Sequence, residues 1–461
     1  MVKTYTEKAS IIKSKSDLRL SPNYYYLNIW FKKIEGKGFD IFDLNSITTY
    51  IDSGSYIAEY LDSGIYFVRV GDIKKYVIDE SELKFVSKSV KAKSKLKQAD
   101  IFFGRTQATY SKLGVFAIAS ERIAGSAVSQ HVAKIHIDDE IIDPYYVIAY
   151  LNSKFGRSQM VLASYGDTRV EFTNNQISQI RIAKLPDKDY DKIRELSHKV
   201  EELNEKEVKA FFDAQSIIND EFDKIIKHAK HDANIRISML KENDLWTPVT
   251  YKKEYVLVRN AIFDNMKFKV ITDVIEKITK GVEVGSKFYR TEVETNADSL
   301  PFIRTSDIYN GEIDFYPDYF FNSYDNPKVK IPLIKENDII FSKDGKIGQC
   351  SIANKDDKFI PGSGYFILRP KKDEDPNYLF ALLSNNKIIK YQALMKTVIA
   401  STIPHLKDEK FKTILVPYFE DEVVNKVSSL ISTYRESLIL KNKYIKEIQN
   451  IFDKYYFDLF E

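Results

Sequence analysis

Four residues, "DPYY" (143–146), are the first candidates for chemistry. A carboxylate followed by aromatics can hold the amino group of a flipped adenine and stack on its ring during methyl transfer. Such a site wants a second proline where Tyr145 stands, and the quartet recurs as "DPNY" (375–378). No glycine-rich turn follows an apolar strand to seat adenosylmethionine. Helix capping explains both quartets: Asp143 and Asp375 suit the N-cap, and Pro144 and Pro376 the first helical position. No pair of carboxylates is followed on a strand by E-x-K or D-x-K, as a nuclease centre would require. "FSKDGKIG" contains Gly345 and Gly348 but lacks the G-K-S/T of a phosphate loop. Six scattered histidines and the single Cys350 offer no metal spacing and no internal disulfide. The chain is therefore expected to catalyse nothing itself and to bind no cofactor or metal.

Side chains that bind rather than react are easier to find. Residues 88–112 carry seven basic side chains against the single acid Asp100. The segments "FFGRTQATYSKLG" (102–114) and "IFSKDGKIG" (340–348) each leave an apolar strand, present polar and basic residues, and return to a strand. On them Arg105, Gln107, Lys112, Lys343 and Lys346 have the donors and acceptors to contact guanine, adenine or phosphate in a groove. Ordinary exposed hairpins, with lysines guarding a strand edge, fit the same residues. Arg69 and Arg304 are further candidates. Pairing with Asp72 or a cross-sheet carboxylate is the favoured role for them, because an arginine shared by both copies cannot explain different readouts.

These residues sit on a repeat. "FVRVGDI" (67–73) answers "FIRTSDI" (302–308), and "LKQADIFFGR" (96–105) answers "IKENDIIFSK" (334–343). "KLGVFAIA" (112–119) answers "KIGQCSIA" (346–353), "DPYYVIAYLNS" (143–153) answers "DPNYLFALLSN" (375–385), and "ISQIRIAKLP" (177–186) answers "KFKTILVP" (410–417). A weaker echo links "DLRLSPNYY" (17–25) with "DLWTPVTY" (244–251). One module occurs twice, mixing alternating strands with capped helices and closing each time on a short strand and a proline, Pro186 or Pro417.

Each module precedes a long stretch free of Gly and Pro. In the second, Val424, Val427, Ile431, Tyr434, Leu438, Ile445, Ile448, Phe452 and Tyr455 fall on three-four spacing interrupted only by Lys441, which is the seam of a coiled coil. The first carries Ile193, Leu196, Val200 and Leu203, then slips phase to Val208, Phe211, Ile218, Phe222 and Ile225. The expected fold is α+β: two similar mixed α/β domains, each followed by a long helix, the helices pairing as an antiparallel coiled coil. The corresponding boundaries are 1–186, 187–240, 241–417 and 418–461.

Composition bounds the rest. The chain has 461 residues, 44% of them hydrophobic, with 30 Tyr and 29 Phe but only two Trp, enough for several folded units. Its 69 basic residues nearly balance 66 acidic ones, which argues against a polycation that coats nucleic acid. A DNA reader with its charge on one face remains compatible. No apolar run suits a membrane span or a secretion signal, so the expected location is cytoplasmic.

The duplicated "FVRVGDI"/"FIRTSDI", the phrase "DIIFSKDGKIG", the D-P-x-Y helices and the proline before a long helix resemble the specificity subunit of type I restriction-modification enzymes. The likeness runs from about Asp17 to the C-terminus, although "DLRLSPNYY" replaces the commoner proline-glycine-tryptophan entry phrase. It implies that each recognition domain reads half of a bipartite double-stranded DNA target and that helix length sets the unread gap. It also implies docking of two modification subunits, which bring S-adenosylmethionine, and of restriction subunits using ATP and Mg2+. DNA contacts would then fall to Arg105, Lys112, Lys343 and Lys346. The specificity chain of a related type II system is one alternative; a two-headed scaffold that binds protein is another. A self-sufficient methyltransferase is a distant third.

Overall fold

A computed structural model describes residues 31–107, 114–163, 170–229, 252–290, 295, 298–315, 317–398 and 403–457. The upstream echo, residues 17–25 against 244–251, lies outside them. The chain folds as two compact units, one of residues 1–205 with 440–461, the other of residues 206–439. Each unit thus holds one module and one end of both long helices.

In the first unit a four-stranded sheet has the order Thr48–Ser53, Val132–Ile137, Ile101–Gly104, Phe116–Ile118. The second unit repeats it as Ile275–Lys280, Tyr365–Pro370, Ile339–Ser342, Cys350–Ile352. A smaller sheet is also repeated. Strand Ile65–Val68 lies between an antiparallel neighbour, Lys84–Val86, and a parallel one, Ala127–Val128. Its counterpart Ser299–Ile303 lies between Phe320–Asn322 and Ile360–Pro361 in the same senses.

The repetition reaches individual hydrogen bonds. Asp143 accepts from Tyr145 N at 2.7 Å and Asp375 from Asn377 N at 2.9 Å, so both aspartates cap their helices as their spacing predicts. The tyrosine of each quartet bridges backbone groups. Tyr146 Oη donates to Ala183 O at 2.6 Å and accepts from Leu185 N, while Tyr378 Oη donates to Pro417 O at 2.9 Å and accepts from Phe419 N. Gln159 and Gln392 each grip a strand by both ends of the amide, Arg181 in one unit and Leu415 in the other. Buried hydroxyl and amide groups here satisfy strand termini that would otherwise be left unpaired.

These bonds correct the placing of the prolines. Ala183, not Pro186, stands where Pro417 stands. Pro417 lies inside a two-stranded pair opposite Phe268, a place where a residue without an N–H is tolerated. Pro186 instead precedes the long helix Asp187–Ala229, whose second counterpart is Asp421–Phe457.

Within the first unit the start of one helix packs on the end of the other. Lys192 pairs with Glu447 at 3.5 Å, and Tyr455 donates to Asp189. Phe452 enters the aromatic cluster of Tyr146, Tyr150 and Phe155. Within the second unit Phe211 meets Tyr434 at 5.5 Å and Phe380 at 6.0 Å, and Asn385 binds Gln215 and Asn219. Val427, Ile431, Tyr434, Leu438, Ile445, Ile448 and Phe452 are buried, whereas Val424 is half-buried at the first turn. Burying a large apolar side chain is favourable by roughly 1.5–3 kcal/mol. Lys441 is itself buried. At the phase slip of the first helix, Asn204 and Glu207 take buried positions in place of the half-buried Leu203.

Removing either bridging hydroxyl leaves two buried backbone groups unpaired. Tyr146→Phe and Tyr378→Phe should each lower the free energy of unfolding by about 1–3 kcal/mol in urea titrations.

Candidate nucleic-acid interface

The phrase shared by the modules ends the middle strand of the smaller sheet and begins a tight turn. Asp72 accepts from Arg69 N at 2.8 Å and takes the Arg69 guanidinium through Nε at 3.0 Å and Nη2 at 2.9 Å. Asp307 accepts from Arg304 N at 2.8 Å in the same way. The Arg304 guanidinium, however, reaches Asp318 at 3.1 Å and lies 4.4 Å from the centre of the Tyr319 ring. Burial pushes the Asp307 carboxyl above its ordinary range, against the pull of the Arg304 backbone N–H. Both arginines therefore hold carboxylates in their own unit, the role favoured from sequence. About a third of each side chain is left exposed.

Arg105 turns inward. Its guanidinium donates to Ser53 Oγ at 2.8 Å and to Phe172 O at 3.0 Å, so it fastens the strand after Gly104 to two distant segments. Lys343, its counterpart, is buried and pairs with Asp344 at 3.0 Å. Lys346 is exposed on the hairpin that closes at Gly348. Gly348 has φ +87° and its counterpart Gly114 φ +74°, and an added Cβ would press on Lys390 or Arg157 respectively. Gln107 pairs with Val170 in a short strand. Lys112 lies outside the described residues.

A cleft of about 370 Å3 opens on the first unit beside Arg69. Tyr56, Tyr60, Thr106, Gln130 and His131 line it with Arg69. Tyr56 is 75% exposed. Amide, imidazole, hydroxyl and guanidinium groups converge there beside exposed aromatic rings, a set able to read base edges and hold phosphate. Sequence reasoning did not single out Tyr56, Gln130 or His131. Comparing residue 131 with residue 364 would have found a signal, since the strands around them match while histidine faces glycine. On the second unit a smaller cleft of about 270 Å3 is basic, with Lys277, Lys335 and Arg369 in its wall. Among the described residues no group of three or more His, Cys, Asp or Glu is placed to hold a metal ion. No described helix is long and apolar enough to cross a membrane.

Residues 264–450 match the family model described as the type I restriction modification DNA specificity domain. That match spans most of the second half of the chain, where the second copy of the repeated phrases lies. No curated protein matches the chain in sequence. Solved structures that it resembles include the HsdS subunit from Thermoanaerobacter tengcongensis, at 16% identity and TM-score 0.29, covering 90% of this chain and 96% of that one. Another is the type I restriction-modification S subunit from M. genitalium, at 12% identity and TM-score 0.33, with 90% and 94% covered. A chain from a study of type I R-M complex assembly and conformational transition has 16% identity and TM-score 0.30, with 90% and 97% covered.

Two variants separate holding from contacting. Arg105→Met should cost about 1–2 kcal/mol of stability, measured by urea unfolding, because Phe172 O loses its partner. Lys346→Gln, by contrast, changes a side chain exposed on the hairpin. It should weaken duplex binding equally for all sequences and reduce the slope of log K against log salt by about 0.9, the value for one phosphate contact.

Proposed function

We propose that this chain is the DNA sequence-specificity subunit of a type I restriction-modification complex. Its two units each read one half of a bipartite duplex target. The observation that carries the reading is the specificity-domain match over residues 264–450, joined to a first unit that repeats the same sheets, caps and tyrosine bridges. The helices Asp187–Ala229 and Asp421–Phe457 serve as an antiparallel coiled coil that spaces the readers. At ~1.5 Å per residue, forty residues make a rod of roughly 60 Å, so a fixed helix length would impose a fixed unread gap.

In this reading the chain supplies sequence recognition and partner chains supply chemistry. Two modification subunits dock against the helices and bring S-adenosylmethionine, and restriction subunits join them with ATP and Mg2+. The balance of 69 basic against 66 acidic residues suits a subunit whose partners share the phosphate contacts.

Selection from a random duplex library at fixed ionic strength, using the full chain with its modification partner, tests the proposal. Two short motifs at one constant separation should be enriched. Enrichment of nothing from an intact complex would refute DNA reading and favour a scaffold that binds protein.

A further inference from the structure

The two units share a frame around Arg69 and Arg304 and differ beside it. Tyr60 packs on Phe67 at 5.9 Å, and Tyr289 packs on Phe302 at 5.2 Å. Ser129 N donates to Val68 O at 3.0 Å, as Gly362 N donates to Ile303 O at 2.8 Å. Phe172 N donates to Arg105 O and Leu406 N to Lys343 O, both at 2.9 Å. These matches put Thr106 level with Asp344, His131 with Gly364, and Glu171 with His405.

In each unit an imidazole meets the residue after Arg105 or Lys343, delivered by different strands. In the first, His131 Nδ1 faces Thr106 Oγ1 at 3.4 Å, and Gln130 Nε2 lies 3.2 Å from His131 Nε2. In the second, His405 comes from the strand that bridges Asp344, and its Nδ1 faces the Asp344 carboxylate. A Cβ at Gly364 would lie 2.9 Å from Thr305 Cγ2, so a side chain placed where His131 stands in the first unit would have to displace that methyl.

From this the geometry points to the specificity-determining residues: Gln130, positioned by His131, in the first unit, and His405, positioned by Asp344, in the second. The inference rests on the DNA-reading role proposed above and assigns the groups that perform it. The Gln130 amide gives one N–H to the His131 ring nitrogen, which puts the ring proton on Nδ1 facing Thr106. The amide oxygen and second N–H are left to pair with N6 and N7 of an adenine, the usual bidentate match for glutamine in the major groove. The Asp344 carboxylate draws the His405 ring proton to Nδ1, leaving Nε2 to accept from an exocyclic amino group of adenine or cytosine. Gln130 is exposed and the His405 side chain is 45% exposed, so both can meet a duplex. Arg69 and Arg304, common to both frames, hold carboxylates of their own unit and take no part in the discrimination.

The duplex selection above, run on the full chain with its partner, tests this with Gln130→Ala, His131→Ala and His405→Ala. Gln130→Ala should erase preference at one adenine of one half-motif, by about 5- to 150-fold, and leave the other half and the gap unchanged. His131→Ala should loosen that same position, and the double variant should add little to Gln130→Ala. His405→Ala should act only on the other half-motif. Unaltered motifs, or equal weakening for every sequence, would overturn the assignment while leaving the DNA-reading role intact. If the unsubstituted chain enriches nothing, both the role and the assignment fall.

Discussion

Each module depends on one fully buried carboxylate, Asp100 or Asp338, at the entry to its central hairpin strand. The carboxylate closes the turn before the strand by accepting from Lys97 N or Lys335 N at 2.8 Å. That turn carries a non-glycine residue with positive φ in both units, Ala99 at 62° and Asn337 at 69°. A buried charge costs several kcal/mol unless it is paired and hydrogen-bonded. The second unit pairs Asp338 with the Arg369 guanidinium at 2.7 and 2.8 Å. The first surrounds Asp100 with Tyr50 Oη at 2.6 Å, His136 at 2.8 Å and the buried Lys134 at 3.6 Å. The strand launched from this turn ends at Gly104 or Ser342; Arg105 or Lys343 follows, and the residue after it, Thr106 or Asp344, meets the imidazole.

Duplication followed by divergence is thus divided by position. Backbone-holding groups were kept: the capping aspartates, the bridging tyrosines, the strand-gripping glutamines and the arginine-aspartate turns. Groups beside Thr106 and Asp344 were exchanged, with His131 answered by Gly364 and Glu171 by His405. A reader of two different half-sites needs such a split, because the scaffold must hold the same geometry while the contacts change.

Much of this was legible in the sequence because its signals are local. The D-P caps need only neighbouring residues, and the three-four spacing of Val427, Ile431, Tyr434, Leu438, Ile445, Ile448 and Phe452 follows from helix geometry alone. The phase slip after Leu203 was visible too, but not that Asn204 and Glu207 would be buried there. Arg105 misled for a physical reason. Its partners, Ser53 and Phe172, lie 52 and 67 residues away, so nothing near it reveals that its guanidinium is engaged. Lys343 looked available beside a glycine-rich turn, yet its ammonium is held by the adjacent Asp344. The imidazoles were missed because His131 and His405 do not occupy matching positions, and only the folded sheets set each beside the residue after Arg105 or Lys343.

The central claim is that one fold reads DNA twice across a spacer of fixed length. Equilibrium binding of the full complex to duplexes carrying the two selected motifs at increasing separations tests it most directly. The account predicts a sharp affinity optimum at one separation, falling steeply when a single base pair is added or removed. Affinity that is indifferent to separation, or that equals the affinity for one motif alone, would contradict it.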